Sequence, residues 1–237
     1  MFIVPPYGLG FPSTEAQSAY YPGPMDITQH EIAMISQALE ERKVLPENTR
    51  IRKCEESGSV QFEVLLASVD DDIQPTIFSL PDSHTIVSIK RGDHAEELSQ
   101  VCSNLSEAIK YAENDIQRKF LSEYIQSFRT GDLEVYRNSQ RTWIMDKNPR
   151  VENIFGFVEP YRDPYGIRSE FEGLVAINDP AETKTLLKLV EQSSTFIKRL
   201  PWAEGQTENN GKGPFEKALF EPPDLTSIHG ITLNPNG

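Results

Sequence analysis

The apolar positions of this chain change period several times. Ile32, Ile35 and Leu39 fall at helical spacing behind Thr28 and Glu31, the two ends of a T-x-x-E capping box, so the pattern predicts a helix that Pro46 stops. From Thr49 the period shortens. "TRIRKCEESGSVQFEVLLASV" predicts two strands meeting at a Gly58 turn, with Val60, Phe62 and Val64 on one face, and Thr85 to Lys90 predicts another strand. Ahead of these, "FPSTEAQSAYYPGP" mixes Pro, Gly, Ser and aromatic residues without a period and predicts irregular chain.

A helical block follows. Asp93 with Glu96 is placed to cap a helix carrying Leu98, Val101, Leu105, Ile109 and Ala112, and a second pattern runs through Ile116, Phe120, Tyr124, Ile125 and Phe128. Gly131 predicts the stop, and Asp132 the cap of a further helix through Tyr136 toward Trp143. Strand character returns in "RVENIFGFVE" and "FEGLVAIND", a last helix is predicted from about Glu182 to Leu200, and "AEGQTENNGKGP" predicts a loop. The order strands, helices, strands, helix predicts an α+β fold with no internal repeat. Four parts are expected: residues 1–92 with the lead, first helix and first strands, 93–148 helical, 149–200 strands plus helix, and 201–237 loop and tail.

Composition narrows the classes of function. With 237 residues, 38% hydrophobic and 25% charged, the chain can fill a sizeable core. A net charge of -13 argues against nucleic acid, which recruits clustered Lys and Arg, and against an anionic membrane surface. Cationic ligands, the amino end of a peptide among them, are favoured by the same field. Cys54 and Cys102 form neither a CxxC pair nor a disulfide framework, so a reducing, cytoplasmic setting is expected. "MFIVPPYGLGF" lacks the charged flank and apolar length of a secretory signal, and no run approaches the roughly 18 apolar residues of a membrane helix.

The candidate chemistry is concentrated in "GFVEPYRDPYGIRSEFEG", Gly156 to Gly173. It places Glu159, Asp163, Glu170 and Glu172 around Tyr161, Arg162, Tyr165 and Arg168 at a strand exit. Such a set could hold a metal, perform acid and base chemistry, or grip a charged ligand. Pro160 and Pro164 restrict the backbone around Tyr161, and "DPYG" is a turn signature, so Glu159 and Tyr161 are expected on a stiffened segment where a carboxylate meets an ammonium and a phenol donates to a carbonyl. On physical grounds alone the bland reading stands ahead of this one: Arg162 and Arg168 pairing with Asp163 and Glu170 to stiffen a wet surface turn. Elsewhere His30, His84, His94 and His229 are mutually remote, with no HExxH pair, and there is no G-x-S-x-G elbow, Walker loop or GxGxxG. No metal ligands are assigned.

"IFGFVEPYRDPYGIRSEFEGLVAI" resembles the peptide-binding segment of the dipeptidyl peptidase III family, zinc-dependent exopeptidases that remove dipeptides from the amino ends of oligopeptides. The likeness extends through "FPSTEAQSAYYPG", "EVLLASV", "IKRGDHA", "YIQSFRTGDLEVYRNSQRTWIMDKNPRVE", "IKRLPW" and "FEPPDLTSIH" in family order, from about Leu9 to His229. The resemblance implies a two-lobed enzyme in which one lobe carries a β-barrel that binds peptide by β-addition and the other, helical, carries zinc. Glu159 then matches the carboxylate that anchors the substrate ammonium, with Pro160 beside it. Tyr161 matches the catalytic hydroxyl that helps polarise the scissile carbonyl, and Glu172 matches another cleft acid. The implied partner is an oligopeptide with a free amino end.

The departures are equally plain. The family's HExxGH and EExRxE zinc helices do not occur in these residues, its amino-terminal helical part is not represented, and "GITLNPNG" diverges from the family's "NxPNYD", leaving Asn234 and Asn236 as poor matches. The expectation is a partial chain: a partial β-barrel with packed helices, the zinc-bearing helical lobe absent, silent as a peptidase alone unless a separate chain supplies zinc. The alternative is a non-catalytic peptide-binding or regulatory module.

Overall fold

The computed structural model describes residues 18–56, 58–71, 74–80, 85–147, 149–197, 199 and 228–233. The described fold is mixed α+β, with helices and two sheets. The chain divides into two compact units, one of Met1–Asp146, Phe155–Gly173 and Leu233–Gly237, the other of Lys147–Ile154 and Leu174–Thr232.

In the first unit, helix α1 (Gln29–Glu41) opens with the capping box the sequence predicts: Glu31 N–H donates to the Thr28 hydroxyl at 3.2 Å, and the Glu31 carboxylate accepts from Thr28 N–H at 2.7 Å. It ends at Arg42, four residues before Pro46, because Lys43 has already turned to a φ of 57°. Strands β1 (Thr49–Glu56) and β2 (Ser59–Ala67) form the expected antiparallel hairpin. The sheet continues with β3 (Thr76–Ser79), which sequence reasoning missed, and β4 (Ile86–Asp93), in the order β1-β2-β4-β3. β4 runs parallel to β2. The alternating residues Phe62 and Val64 of β2 and Val87 of β4 bury one face against Ile32, Ile35 and Leu39 of α1, while Val60 at the hairpin end stays exposed.

Helix α2 (Ala95–Ala108) corrects one expectation. Its N-cap is His94, left-handed at φ 56° and without a capping bond, because the Asp93 carboxylate is taken by Arg50 of β1 at 2.8 Å. A 3-10 turn, Ile109–Tyr111, then ends the helical run short of Ala112. Helix α3 (Asp115–Thr130) is capped by Asn114, and helix α4 (Leu133–Trp143) by Asp132, whose carboxylate accepts from Glu134 N–H at 2.8 Å. Between them Gly131 adopts φ 73° and lets the chain reverse, as the sequence predicts. Tyr124 of α3 stacks on Phe128 and Tyr136 with ring centroids 5.8 and 5.7 Å away, the centre of a second core that also takes in Phe155, Phe157 and Phe171.

The remaining strands, β5 (Val151–Phe157), β6 (Phe171–Asn178) and β7 (Ile228–Leu233), form a three-stranded sheet in that order. Among the described residues neither sheet closes into a barrel. In the second unit helix α5 (Pro180–Glu191) starts at an Asp179 cap with Pro180 in its first turn, and breaks at Gln192 before a short helix α6 (Ser193–Ile197). The single helix expected from Glu182 is therefore two pieces; Leu200 and the loop 203–214 lie outside the described residues. No described helix is long and apolar enough to cross a membrane.

Candidate functional site

Strand β5 delivers the chain to the motif through Gly156. This residue has φ 151°, and a Cβ there would meet the Tyr136 ring at 2.5 Å, so glycine lets the strand pass close to that ring. Two backbone bonds extend the pairing beyond the strands: Val158 N–H donates to Glu170 at 3.2 Å and Glu170 N–H to Glu159 at 3.0 Å. Glu159 is thereby set opposite Glu170, at the mouth of a ten-residue connection.

The connection is organised by Asp163, which is buried at 6% exposure. One carboxylate oxygen accepts from Tyr165 N–H at 3.0 Å, the other from Ile167 and Arg168 N–H at 3.0 and 2.8 Å, and the Asp163 carbonyl accepts from Gly166 N–H at 2.9 Å. The fourth donor to the carboxylate is tertiary: the Tyr21 hydroxyl, at 2.7 Å. Arg168 is fully buried, and its Nη1 donates to the same Tyr21 oxygen at 3.4 Å. The Arg162–Glu170 pair forms at 3.2 Å, with the Glu170 side chain buried.

These contacts revise the bland reading. The turn is not wet, since Asp163, Arg168 and Glu170 are all buried. Arg168 does not pair with Asp163 through its guanidinium; the pairing is through its backbone N–H, and Tyr21 stands between the two charges. Tyr21 and its neighbour Tyr20 were read from the sequence only as irregular lead. No periodicity marks them, and the sole signal was their place in the family-like "SAYYPG".

The candidate residues themselves lie on the accessible side of this turn. Glu159 and Tyr161 are exposed, Pro160 and Glu172 half-buried. The negative charge of Glu159 is the main cause raising the Tyr161 phenol above its ordinary value, with smaller contributions from burial, Glu172 and Glu170, so it remains a donor at neutral pH. Burial raises the Glu172 carboxyl, helped by Glu159 and Glu170. Tyr136, raised chiefly by burial and Tyr124, also senses Glu172. Glu159, Tyr161 and Glu172 thus share one electrostatic neighbourhood. An ammonium entering it would relieve the mutual repulsion of the carboxylates, and the protonated phenol could donate to an adjacent carbonyl.

Among the described residues no three His, Cys, Asp or Glu side chains gather where they could hold an ion. His30 lies in α1 and His94 at the start of α2; His84 lies outside the described residues, and His229 is in β7.

The family model of peptidase family M49 matches residues 4–237. The chain belongs to peptidase family M49. Among curated M49 relatives, dipeptidyl peptidase 3 of Dictyostelium discoideum is 36% identical over 220 residues, covering 93% of this chain and 30% of that protein. Dipeptidyl peptidase 3 of Homo sapiens is 33% identical over 238 residues, covering 97% of this chain and 30% of that protein. The chain therefore spans about 30% of the length of these relatives. The solved structure of DPP III from Caldithrix abyssi aligns with a TM-score of 0.50 at 22% identity, over 76% of this chain and 29% of that one, a likeness of fold.

Proposed function

We propose that this M49 chain grips the amino end of an oligopeptide and is the substrate-binding lobe of a dipeptidyl peptidase. The single observation that carries the reading is that Glu159 and Tyr161 stand exposed, and Glu172 half-buried, about a turn whose other side is buried. Glu159 takes the substrate ammonium, with Pro160 stiffening the chain beside it and Glu172 adding negative charge. Tyr161 donates its proton to the oxygen of a peptide carbonyl, stabilising charge that builds there. An anchor at the free amino end is what an exopeptidase needs to measure two residues inward.

Zinc, the metal implied by the family, would supply a Lewis acid and an activated water when bound. The described residues do not fit it, and neither HExxGH nor EExRxE occurs in the sequence, so we assign zinc to another lobe and route no step through it. By itself the chain is proposed to bind without cutting. The division at residues 92, 148 and 200 remains part of this proposal, and the free Cys54 and Cys102 support a cytoplasmic setting.

Calorimetry with a tetrapeptide tests the grip. A charge-assisted hydrogen bond is worth about 1.5–3 kcal/mol, so the free-amine peptide is expected to bind roughly 10- to 150-fold tighter than its N-acetylated form. Glu159→Gln should sharply reduce the difference, the charge of Glu172 and the remaining amide oxygen keeping part of it. Equal affinities for the two peptides in the unaltered chain would refute the anchor, and dipeptide release from a chromogenic substrate by the chain alone would refute the silent part of the reading.

A further inference from the structure

Arg168 is a fully buried cation with few polar partners. Among the described residues its Nε and Nη2 have no hydrogen-bond partner, and its guanidinium makes one hydrogen bond and one ring contact, both with Tyr21: Nη1 to the hydroxyl at 3.4 Å, and the guanidinium carbon 5.6 Å from the ring centroid. Burying a charge so sparsely satisfied is costly. An apolar side chain in the same place would fill the space without that cost. The same Tyr21 hydroxyl donates to Asp163 at 2.7 Å, so one oxygen joins a buried cation to a buried anion.

We propose that Tyr21 is the positioning residue of the peptide-gripping segment, its hydroxyl coupling Arg168 to Asp163 and so holding the turn that presents Glu159 and Tyr161. Three of the four donors to the Asp163 carboxylate come from its own turn, at Tyr165, Ile167 and Arg168; they shape the turn but cannot locate it. Tyr21 lies 142 residues upstream and is anchored elsewhere. Its side chain is 1% exposed within the core between α1 and the four-stranded sheet, and its neighbour Tyr20 accepts from Ile51 N–H of β1 at 2.9 Å. Tyr161 therefore sits between two fixed points, the Glu159–Glu170 backbone bond on one side and the Asp163–Tyr21 bond on the other. Such restraint matters because misplacing a binding group by a fraction of an ångström forfeits much of its interaction.

The inference rests on the reading of Glu159 as ammonium anchor, and the test separates the two. Tyr21→Phe keeps the ring and removes one oxygen; Arg168→Lys keeps the charge and removes the planar fork. In each, two quantities are measured well below the unfolding midpoint: amide hydrogen exchange at Tyr165, Ile167 and Arg168, and the affinity ratio of a free-amine to an N-acetylated tetrapeptide. For Tyr21→Phe, exchange at the three amides is expected to rise about tenfold, the equivalent of one hydrogen bond, and the affinity ratio to fall at least about fivefold. Arg168→Lys should move both in the same direction; if it does not fold, Tyr21→Phe decides alone. Unchanged exchange overturns the coupling. Faster exchange with an unchanged ratio makes the cluster structural only and overturns the positioning role. An unaltered chain with no ratio to lose sinks the anchor reading instead, and with it any positioning role, while the exchange data still decide the coupling.

Discussion

Replacing Asp163 with Asn removes one charge and almost no volume, so its cost reports the buried cluster directly. The carboxylate accepts four bonds, at 2.7, 3.0, 3.0 and 2.8 Å. An amide can keep its oxygen toward Ile167 and Arg168, but its NH2 then faces the Tyr165 N–H and the Tyr21 hydroxyl; the hydroxyl can turn to accept, while the N–H is left without a partner. Turned the other way, it orphans two donors. The Arg168 guanidinium, fully buried, also loses its nearby negative charge. Stranding a buried charge costs about 3–5 kcal/mol, and we expect Asp163→Asn to destabilise by that amount. At roughly 2–4 °C per kcal/mol for a chain of this size, the thermal midpoint should fall by about 6–20 °C. Urea unfolding of the two proteins, with the 99% exposed Asp115→Asn as control, measures the difference. A loss no greater than that of the control would refute the claim that Asp163 and Arg168 form an energetically coupled pair.

Two further outcomes follow from other parts of the fold. Gly131→Ala puts a Cβ 2.8 Å from the Ala67 carbonyl oxygen and 2.1 Å from a Leu66 methyl, in a left-handed conformation that itself costs about 1–2 kcal/mol; since the Ala67 backbone cannot step aside as a side chain can, a total loss above about 2 kcal/mol is expected in urea unfolding, and none would be incompatible with the observed turn. Burial would raise Glu63, but hydrogen bonds from Lys90 and Arg52 outweigh it and hold the carboxyl below its ordinary 4.5. A carboxyl depressed in the folded state contributes stability above the unfolded value that is lost as pH falls through the folded one. The stability gap between the native chain and Glu63→Gln should therefore be constant above about pH 5.5 and shrink steadily below 4.5; a gap independent of pH would contradict the depression.

Most elements were legible in the sequence because their causes are local. The Thr28–Glu31 box, the Asp132 cap, the Gly131 reversal and the Gly58 hairpin each depend on residues within a few positions, and all are found where the pattern puts them. The failures have tertiary causes. Asp93 does not cap α2 because a strand distant in sequence supplies Arg50, and the four-residue β3 is too short to show a period and exists by pairing with β4. The sequence determined by itself that Glu159, Pro160 and Tyr161 would follow one strand and that Glu172 would open the next, since that requires only their spacing. Whether the turn behind them was wet or buried was decided by the tertiary structure, because it depends on which side chain arrives from far away. That side chain is Tyr21, and nothing in its neighbourhood of sequence announces that its hydroxyl will meet Asp163 and Arg168.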